Sequence, residues 1–440
     1  MPMPHNDVQS RRNTLFGVLV VAIGAFFYCY EFVLRIIPGA LQSELSAAFG
    51  HISATAFGQL SAFYYFAYSP MQLPVGMLMD RYGPRRLLTF ACLCCTIGSV
   101  MFTQTSSFLM AGSGRFLVGF GSSFAFVGVL SLAMNWLPRR YFSLVAGLIT
   151  TLGMLGLVYG EVKITSMAVN LGWQHVLTML IYIGMLLTVL TFLLVRDGPK
   201  GSSHLHKNAL PDFFRNVWVV LASPEIWLIG FVGACLYTSL SVFGELWGKT
   251  YLEQAHHLTK VEAARTISAM FLGWAVGAPL AGYLSDLTGK RVFPLVVGAV
   301  LALFCISAVL YYPGLSQTTL VALLFFYGVF SGTEIIVFIM GKENSGARLS
   351  GTAFAAVNMI VTLGGVIFQP LVGKLLDTFG DAGMVDGQHI YTVLDYQIAL
   401  SVLPLSLLLV TILAFFLKDK PSVSNHAAES TRQKDCLPES

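Results

Sequence analysis

The chain has 440 residues, of which 55% are hydrophobic and only 11% are charged, and its mean hydropathy is +0.72. Soluble domains carry about 25% charged residues, so this composition excludes a soluble globular protein and indicates a membrane protein. The formal net charge is +4, and the basic residues are scattered over short loops, which excludes nucleic acid as a partner.

Twelve apolar runs follow one another along the chain, each long enough to cross a hydrocarbon core of ~30 Å. Every backbone group inside a membrane needs an internal partner, so the runs predict helices. The expected fold is an all-α integral membrane protein with twelve transmembrane helices in two six-helix halves. The predicted spans are 14–37, 55–79, 86–105, 108–131, 141–163, 174–195, 225–248, 264–285, 292–312, 316–340, 351–376 and 393–417.

Polar segments set the predicted domain organisation. Residues 1–13 form an N-terminal tail, and residues 196–224 link a half at 14–195 to a half at 225–417. The segment 418–440 is polar and has no apolar periodicity, so we predict a disordered tail. The first apolar run lacks the small-residue cleavage site of a signal peptide, and we predict that it is retained.

Lysine and arginine residues predict the orientation, because they concentrate on the cytoplasmic side of membrane proteins. With the N-terminus inside, most of the 26 such residues fall on that side. The outer segments and adjoining helix ends carry Lys163, Lys249, Lys260, Arg265 and Lys374. We therefore expect both termini in the cytoplasm. The absence of long outer loops and of an organelle signal favours a bacterial inner membrane.

A charged loop occurs twice, half the chain apart. Residues 76–86 read GMLMDRYGPRR, and residues 282–291 read GYLSDLTGKR. In a membrane chain, such a repeat is typical of a transporter built from two similar halves.

The loop residues have a physical role of their own. Asp80 lies near the end of a helix, where its carboxylate can meet a helix N-terminus or a facing arginine. The neighbouring basic residues can stay in the anionic membrane interface. We predict a conformational latch that does not bind substrate; the alternative is that these residues only fix the topology. The predicted latch residues are Gly76, Asp80, Arg81, Gly83, Arg85, Arg86, Asp286, Gly289 and Arg291.

These motifs resemble those of the major facilitator superfamily. The residues of the first loop match the superfamily signature between the second and third helices, and the second loop matches its partial repeat, although Leu287 replaces an expected arginine. Arg115, Gly119 and Gly121 resemble the fourth-helix motif. The resemblance covers about residues 14–417. It implies a monomer whose halves rock about a central cavity, with substrate bound near the midplane.

The first predicted helix contains two charges inside its apolar run, Glu31 and Arg35. Charges inside a span are costly and mark functional sites by default. The two residues are four positions apart, so they share a helix face and can pair, which leaves spare hydrogen-bonding capacity for a solute. Tyr28 and Tyr30 lie beside them in this candidate site. The alternative is that Arg35 reaches the outer surface, with Glu31 as its structural partner.

Two further candidates lie in the fourth and fifth helices. Arg115 is about two turns into its helix. The resemblance links the matching arginine to proton coupling, and the alternative is hydrogen bonding to backbone carbonyls. Glu161 ends the fifth helix, from which it can reach a central cavity.

The last two candidates are Glu245 and Glu334. Aromatic residues flank Glu245 in the seventh helix and can enclose a cationic or peptide-like solute, although for Trp247 a role as a membrane-interface anchor is the favoured expectation. Glu334 lies deep in the tenth helix without a local partner, so it either pairs across the bundle or holds a proton. Glu31 and Glu334 are the best candidates for a proton-coupling or cation-binding carboxylate.

The candidate residues carry both signs of charge, which favours a zwitterionic substrate such as an amino acid or a short peptide. A purely anionic substrate would leave more basic residues unpaired. The Tyr-Glu-Arg cluster resembles the peptide-transporter branch, although its spacing departs from that motif, and the Leu-Trp-Gly segment of the seventh helix is similar to bacterial relatives of the lysosomal dipeptide uniporter. Organic anions, metabolites or a siderophore stay open as alternatives.

Two other classes of protein compete with a transporter. A solute sensor that does not transport would need a longer signalling tail than 418–440. An enzyme is disfavoured because the chain has no paired-histidine metal motif and no nucleophile elbow. We predict a secondary active or facilitative transporter that needs no cofactor or metal. Its partners are a small-molecule substrate and the lipid bilayer, and proton coupling is left open.

Overall fold

The computed structural model describes residues 5–198, 209–380, 384–385, 388–389 and 391–419. The N-terminal half is a bundle of helices, with a 3-10 turn at Arg139–Tyr141. Its helices are α1 (His5–Ala40), α2 (Gln42–Ala48), α3 (Ala54–Met71), α4 (Val75–Tyr82), α5 (Pro84–Thr103), α6 (Phe108–Ser122), α7 (Ala125–Trp136), α8 (Phe142–Leu171) and α9 (Trp173–Leu194).

The C-terminal half repeats this architecture. Its seventh and tenth spans are irregular, with a π-helical segment at Ser239–Trp247 and a 3-10 turn at Gly332–Glu334. Its helices are α10 (Ala209–Leu221), α11 (Pro224–Thr238), α12 (Gly248–His256), α13 (Lys260–Thr288), α14 (Val292–Tyr311), α15 (Gln317–Ser331), α16 (Ile335–Phe379), α17 (Val393–Leu400) and α18 (Val402–Leu413), and a short hairpin is formed by β1 (Met384–Val385) and β2 (Gln388–His389).

Eleven helical stretches of the described chain are long and apolar enough to span a membrane. The predicted span 55–79 differs, because it is two consecutive helices, α3 and α4, rather than one. Pro70 lies inside α3 and Pro74 directly precedes α4. Proline has no backbone N–H to continue the helical hydrogen bonds, which explains the break. With this broken span, the fold agrees with the predicted twelve-helix bundle.

Three predicted boundaries shift. The polar segment 5–13 continues α1 toward the N-terminus. The seventh span extends to His256. The linker 196–224 contains the helix α10, while its residues 199–208 lie outside the described residues, as does the predicted tail from residue 420 onward.

We name the two ends of the bundle by the predicted orientation: the inner end carries the two repeated loops, and the outer end lies opposite. At the outer end, helices of the two halves touch. A Cβ atom at Gly58 of α3 would lie 2.6 Å from the carbonyl oxygen of Gln369 in α16, and Gly373 packs against the backbone of Ala54. Ser268 Oγ of α13 also donates to the Val158 oxygen of α8 at 3.0 Å.

Toward the inner end, four glycines of the same two helix pairs face open space. Cβ atoms at Gly76 and Gly351, toward the inner ends of the second and eleventh spans, would meet nothing within 4 Å. The same holds for Gly147 of α8 and Gly282 of α13. The glycine contacts between the halves therefore lie toward the outer end of the bundle.

Candidate functional site

The predicted Glu31–Arg35 pair is present on α1. Arg35 Nη2 donates to both Glu31 oxygens, at 3.3 and 3.2 Å. Both side chains are buried, so Arg35 does not reach the outer surface as the alternative proposed. Tyr64 of α3 closes the cluster: its hydroxyl accepts from Arg35 Nε at 3.1 Å and donates to Glu31 at 3.0 Å.

A chain of hydrogen bonds carries this cluster into the other half. Arg35 Nη1 lies 3.4 Å from the hydroxyl of Tyr237 in α11. The Tyr237 hydroxyl lies 3.0 Å from that of Tyr65 in α3, and Tyr65 donates a short hydrogen bond to Glu245 in the π-helical segment. This series of hydrogen bonds therefore connects the buried carboxylates Glu31 and Glu245 across the interface between the halves.

Arg115 bonds to the backbone of α1. Its Nη1 donates to the Leu34 oxygen at 2.9 Å, and its Nη2 donates to the Arg35 oxygen at 3.3 Å. Pro38 lies inside α1 and has no N–H for the Leu34 carbonyl, so Arg115 replaces the missing helical donor. The predicted alternative of carbonyl bonding is thus realised, and Arg115 Nε is left without a partner among the described residues.

The tyrosines of the candidate site have different surroundings. The Tyr30 hydroxyl donates to the Leu180 oxygen of α9 at 2.9 Å, which turns it away from the Glu31 cluster. The Tyr28 ring contacts Phe32 and Phe126, with centroids 4.9 and 5.4 Å away. Tyr28 and Tyr30 therefore pack within the N-terminal half.

The expectation that Trp247 anchors the chain at the membrane interface is wrong. Its side chain is only 1% exposed, and its Nε1 donates to the Gln369 oxygen of α16 at 3.1 Å. The π-helical segment explains the difference, because its wider turn alters which residues of the span face the bundle. Trp247 holds the seventh and eleventh spans together.

Glu161 and Glu334 are buried and stand apart from the central network. The charged groups that act on Glu161 are Lys249 and Glu253, near the outer end. Glu334 lies in the 3-10 turn of the tenth span, and its Oε2 has no hydrogen-bond partner in the described chain.

The predicted latch differs between the two copies. Asp80 is exposed and forms no hydrogen bond or ion pair with the described residues. In the second copy, Arg291 pairs with Asp286 at 2.6 Å and with Glu343 at 2.8 Å. The aspartate of the second copy is therefore held in an ion pair within its own half, whereas Asp80 of the first copy is not.

Both repeated loops share a cap that sequence reasoning missed. Asp197, just beyond α9, accepts from the backbone N–H of Arg85 at 2.8 Å. Asp419, beyond α18, accepts from the N–H groups of Arg291 and Val292 at 2.8 and 2.9 Å. A carboxylate at a helix N-terminus is favoured by the helix dipole. The signal in the sequence was an aspartate just after the last span of each half.

Three contacts close the outer end between helix termini of opposite halves. Asp377 of α16 accepts from the N–H groups of Ala54 and Thr55, at 3.0 and 2.8 Å, at the start of α3. Buried Lys249 donates to the Ala40 oxygen at the end of α1. Lys260 pairs with Glu44 of α2 at 2.5 Å. In the first two contacts, negative charge meets a helix N-terminus and positive charge a C-terminus, which is the favourable arrangement for both.

Two halves of membrane-spanning helices that touch at the outer end and enclose buried charges are typical of a membrane transporter. The chain belongs to the Major Facilitator Superfamily, whose family model matches residues 14–369. It is a multi-pass membrane transporter of small solutes and not an enzyme.

Two of the relatives are named for different kinds of substrate. The chain is 22% identical over 406 residues to the lysosomal dipeptide transporter MFSD1 of Danio rerio, covering 85% of this chain and 84% of that protein. It is 23% identical over 413 residues to the D-galactonate transporter of Escherichia coli O6:H1, covering 87% and 94%.

Solved structures share the fold. A bacterial homologue of the human lysosomal transporter Spinster, in an inward-facing and unoccupied conformation, matches with a TM-score of 0.71 at 18% identity, covering 91% of this chain and 95% of that one. A point mutant of the nucleoside transporter NupG matches with a TM-score of 0.72 at 12% identity, covering 90% and 98%.

Proposed function

We propose that the protein is a proton-coupled transporter of a small zwitterion, an amino acid or a short peptide, that works by alternating access. We place it as a monomer in a bacterial inner membrane with both termini in the cytoplasm, following the distribution of its basic residues. In this proposal the arrangement described above is the inward-open state of the cycle.

The observation that carries the proposal is an excess of buried carboxylates over available basic groups. Glu31 is paired with Arg35, but neither Glu245 nor Glu334 forms an ion pair with a described residue. Arg115 is engaged by backbone carbonyls. A buried carboxylate needs a cation or a proton. The ammonium group of a substrate would supply the cation, and a transported proton would neutralise the carboxylate directly.

The Glu31–Arg35 pair supports the same substrate class. Arg35 holds Glu31 with one terminal nitrogen, while its other terminal nitrogen makes only the long 3.4 Å contact to Tyr237. That nitrogen can bind a substrate carboxylate without breaking the pair. The rings of Phe32 and Tyr68, 4.4 and 5.0 Å from the guanidinium carbon, orient the guanidinium plane. The name of the relative MFSD1, a dipeptide transporter, agrees with this class.

An organic anion is the second candidate substrate. It is favoured by the relatives named as transporters of D-galactonate and, with a qualifying "probable" in their names, of galactarate or D-glucarate and of sulfoacetate. Arg115 Nε, which has no partner among the described residues, is a further available donor. The ion pair between Arg35 and Glu31 argues against an organic anion, because Glu31 reduces the positive potential that an anion would meet.

The test is uptake by full-length protein in proteoliposomes. The panel contains labelled amino acids, dipeptides and tripeptides, together with D-galactonate and sulfoacetate. We expect uptake of at least one zwitterion and competition only by other zwitterions. Uptake of the acids alone would replace the first proposal by the second. Arg35→Lys is the matched variant, because it keeps the charge and loses the planar guanidinium that grips a carboxylate.

A further inference from the structure

The hydrogen bonds between Arg35 and Glu245 fix the direction of both hydroxyls between them. A guanidinium only donates and an ionised carboxylate only accepts, while a tyrosine hydroxyl has one proton to donate. Tyr237 therefore accepts from Arg35 Nη1, and Tyr65 donates to Glu245. The 3.0 Å bond between the two hydroxyls then runs from Tyr237 to Tyr65. We call these two residues the tyrosine bridge; both of its protons point toward Glu245.

The tyrosine bridge alternates between the two halves of the bundle. Arg35 and Tyr65 belong to α1 and α3, whereas Tyr237 and Glu245 belong to the seventh span. Tyr65 is 1% exposed, and its ring occupies space that Gly365 of α16 leaves free, because a Cβ atom there would lie 2.6 Å from the ring. The bridge is therefore held between helices of both halves.

The tyrosine bridge connects Glu245 to the charge of Arg35. Glu245 is 3% exposed and forms no ion pair with a described residue. The titratable groups that act on it come from both halves: Arg35, Arg115, Glu31, Tyr65, Tyr68 and Tyr237. Because hydrogen bonds in a series polarise one another, the donation from Arg35 strengthens the bond that Tyr65 makes to the ionised carboxylate.

Protonation of Glu245 reverses the tyrosine bridge. A protonated carboxyl group donates, so Glu245 then donates to Tyr65, and Tyr65 to Tyr237. The proton of Tyr237 needs a new acceptor in this arrangement. Among the described residues, the hydroxyl of Tyr237 meets only Arg35, which cannot accept, and Tyr65. A buried hydroxyl needs a partner, so the reversed bridge calls for an acceptor on a bound molecule.

We propose that Tyr65 and Tyr237 are positioning residues that couple the binding of a substrate carboxylate at Arg35 to the binding of a proton at Glu245. Arg35 Nη1 lies 3.4 Å from the Tyr237 hydroxyl. A carboxylate bound to this nitrogen accepts the hydroxyl proton through its second oxygen. The bridge reverses, Tyr65 no longer stabilises the ionised carboxylate, and Glu245 binds a proton from water.

This inference rests on the proposed function, because it assigns a substrate carboxylate to Arg35. It adds a proton site that is distinct from Glu31, since Arg35 bonds to Glu31 directly and reaches Glu245 only through the tyrosine bridge. The direction of the bridge, in contrast, is tested without any substrate.

The first test is infrared spectroscopy of the full-length protein in detergent, titrated over pH. It follows the carbonyl band of protonated Glu245, which is assigned by its loss in Glu245→Gln. Tyr237→Phe keeps the ring and the bond from Tyr65 to Glu245. Because Tyr65 no longer receives a polarising hydrogen bond, we expect the proton affinity of Glu245 to rise by about threefold or more. A role of Tyr237 in packing alone would not move this titration.

Tyr251→Phe is the matched control, because it removes another buried hydroxyl of the seventh span, one that bonds to backbone oxygens of α14. An unchanged titration of Glu245 in Tyr237→Phe would overturn the inference. Should that variant fail to fold, Tyr65→Phe decides by the same criterion, with a larger expected rise because the direct donor is lost.

The second test compares the wild type with Tyr237→Phe in proteoliposomes, using a labelled zwitterion that the wild type accumulates. We expect proton-driven accumulation to fall severalfold in the variant. Counterflow exchange of the same label should continue, because it needs no net proton movement. Equal accumulation by the variant and the wild type would overturn the coupling role. A wild type that takes up no zwitterion would refute the proposed function, and the infrared titration would still decide whether the tyrosine bridge controls Glu245.

Discussion

At the scale of single residues, the proposed function depends on how Glu31 is neutralised. Arg35 and Tyr64 both bond to it inside a low-dielectric bundle. Breaking such a buried pair leaves an uncompensated charge, while protonating the carboxyl group releases Arg35 for another partner. In the proposed mechanism, Glu31 couples a proton to the availability of the guanidinium.

Replacing Glu31 by glutamine tests this coupling. The variant keeps the size and the acceptor oxygen but cannot exchange a proton, so we expect a folded protein whose proton-driven uptake falls by about tenfold or more. The measurement is uptake into proteoliposomes, with Asp212→Asn on the exposed surface as control. Normal uptake that still depends on pH would remove Glu31 from the mechanism.

Glu44 gives a prediction for low pH. Burial raises the pKa of Glu44. Hydrogen bonds from Lys260 and Ser43 lower it by more than burial raises it, so the pKa lies below its ordinary value of 4.5. A lowered pKa means that the Glu44–Lys260 pair stabilises the closed outer end above pH 4.5 and is lost as the pH falls through the lowered value.

We therefore expect outer closure to weaken only below pH 4.5 and to lose this pH dependence in Glu44→Gln. A cysteine at Ser268, which is buried at the contact with α8, reports opening through labelling by an impermeant thiol reagent. Relative to the labelling rate of a free thiol at the same pH, which falls on acidification because the thiolate is the reactive form, the labelling should rise. Labelling that rises equally in Glu44→Gln would assign the effect to another group.

At the scale of elements, Asp377 joins the halves by capping the start of α3. Asp377→Asn keeps one acceptor oxygen and removes the charge, which is worth ~0.3–1 kcal/mol at a helix N-terminus. We expect a several-fold rise in outer-end labelling of the Ser268 cysteine. Thr378→Val, at the next position, is the control because its hydroxyl bonds only within α16. Unchanged labelling in Asp377→Asn would exclude this cap as a closing contact.

The predicted latch lies at the inner end, where we expect a contact that forms only when that end closes. Asp80 is exposed and unbonded among the described residues, and the latch hypothesis places its partner in the state whose inner end is closed. Asp80→Asn should slow turnover and leave substrate affinity nearly unchanged. The comparison of maximal rate and KM in uptake decides. Lost affinity with unchanged turnover would contradict the latch.

Helix α10 shows what the sequence did not predict at this scale. Phe214 and Trp218, four residues apart, are 65% and 76% exposed. Aromatic residues on one face of a short helix are typical of a helix lying in the membrane interface. The amphipathic segment went unnoticed because the linker 196–224 was predicted from its polar residues.

At the scale of the whole molecule, hydropathy predicted the twelve-span fold and charge spacing predicted the Glu31–Arg35 pair, because both are local properties of one helix. The bond from Tyr65 to Glu245 joins residues 180 positions apart. Local sequence patterns do not reveal how the second helix is rotated relative to the seventh. The tyrosines of this network were therefore not predicted. The prediction for Trp247 was wrong because apolar periodicity does not reveal a π-helical turn, which changes the direction in which the side chain points.

The proposed function requires that buried carboxylates couple protons to zwitterion transport through an alternating bundle. We would first measure accumulation of the best zwitterion of the panel in proteoliposomes under an imposed inward proton gradient. We expect accumulation above the external concentration that collapses when a protonophore is added. Equilibration without accumulation, at a rate indifferent to the gradient, would contradict it and indicate a uniporter.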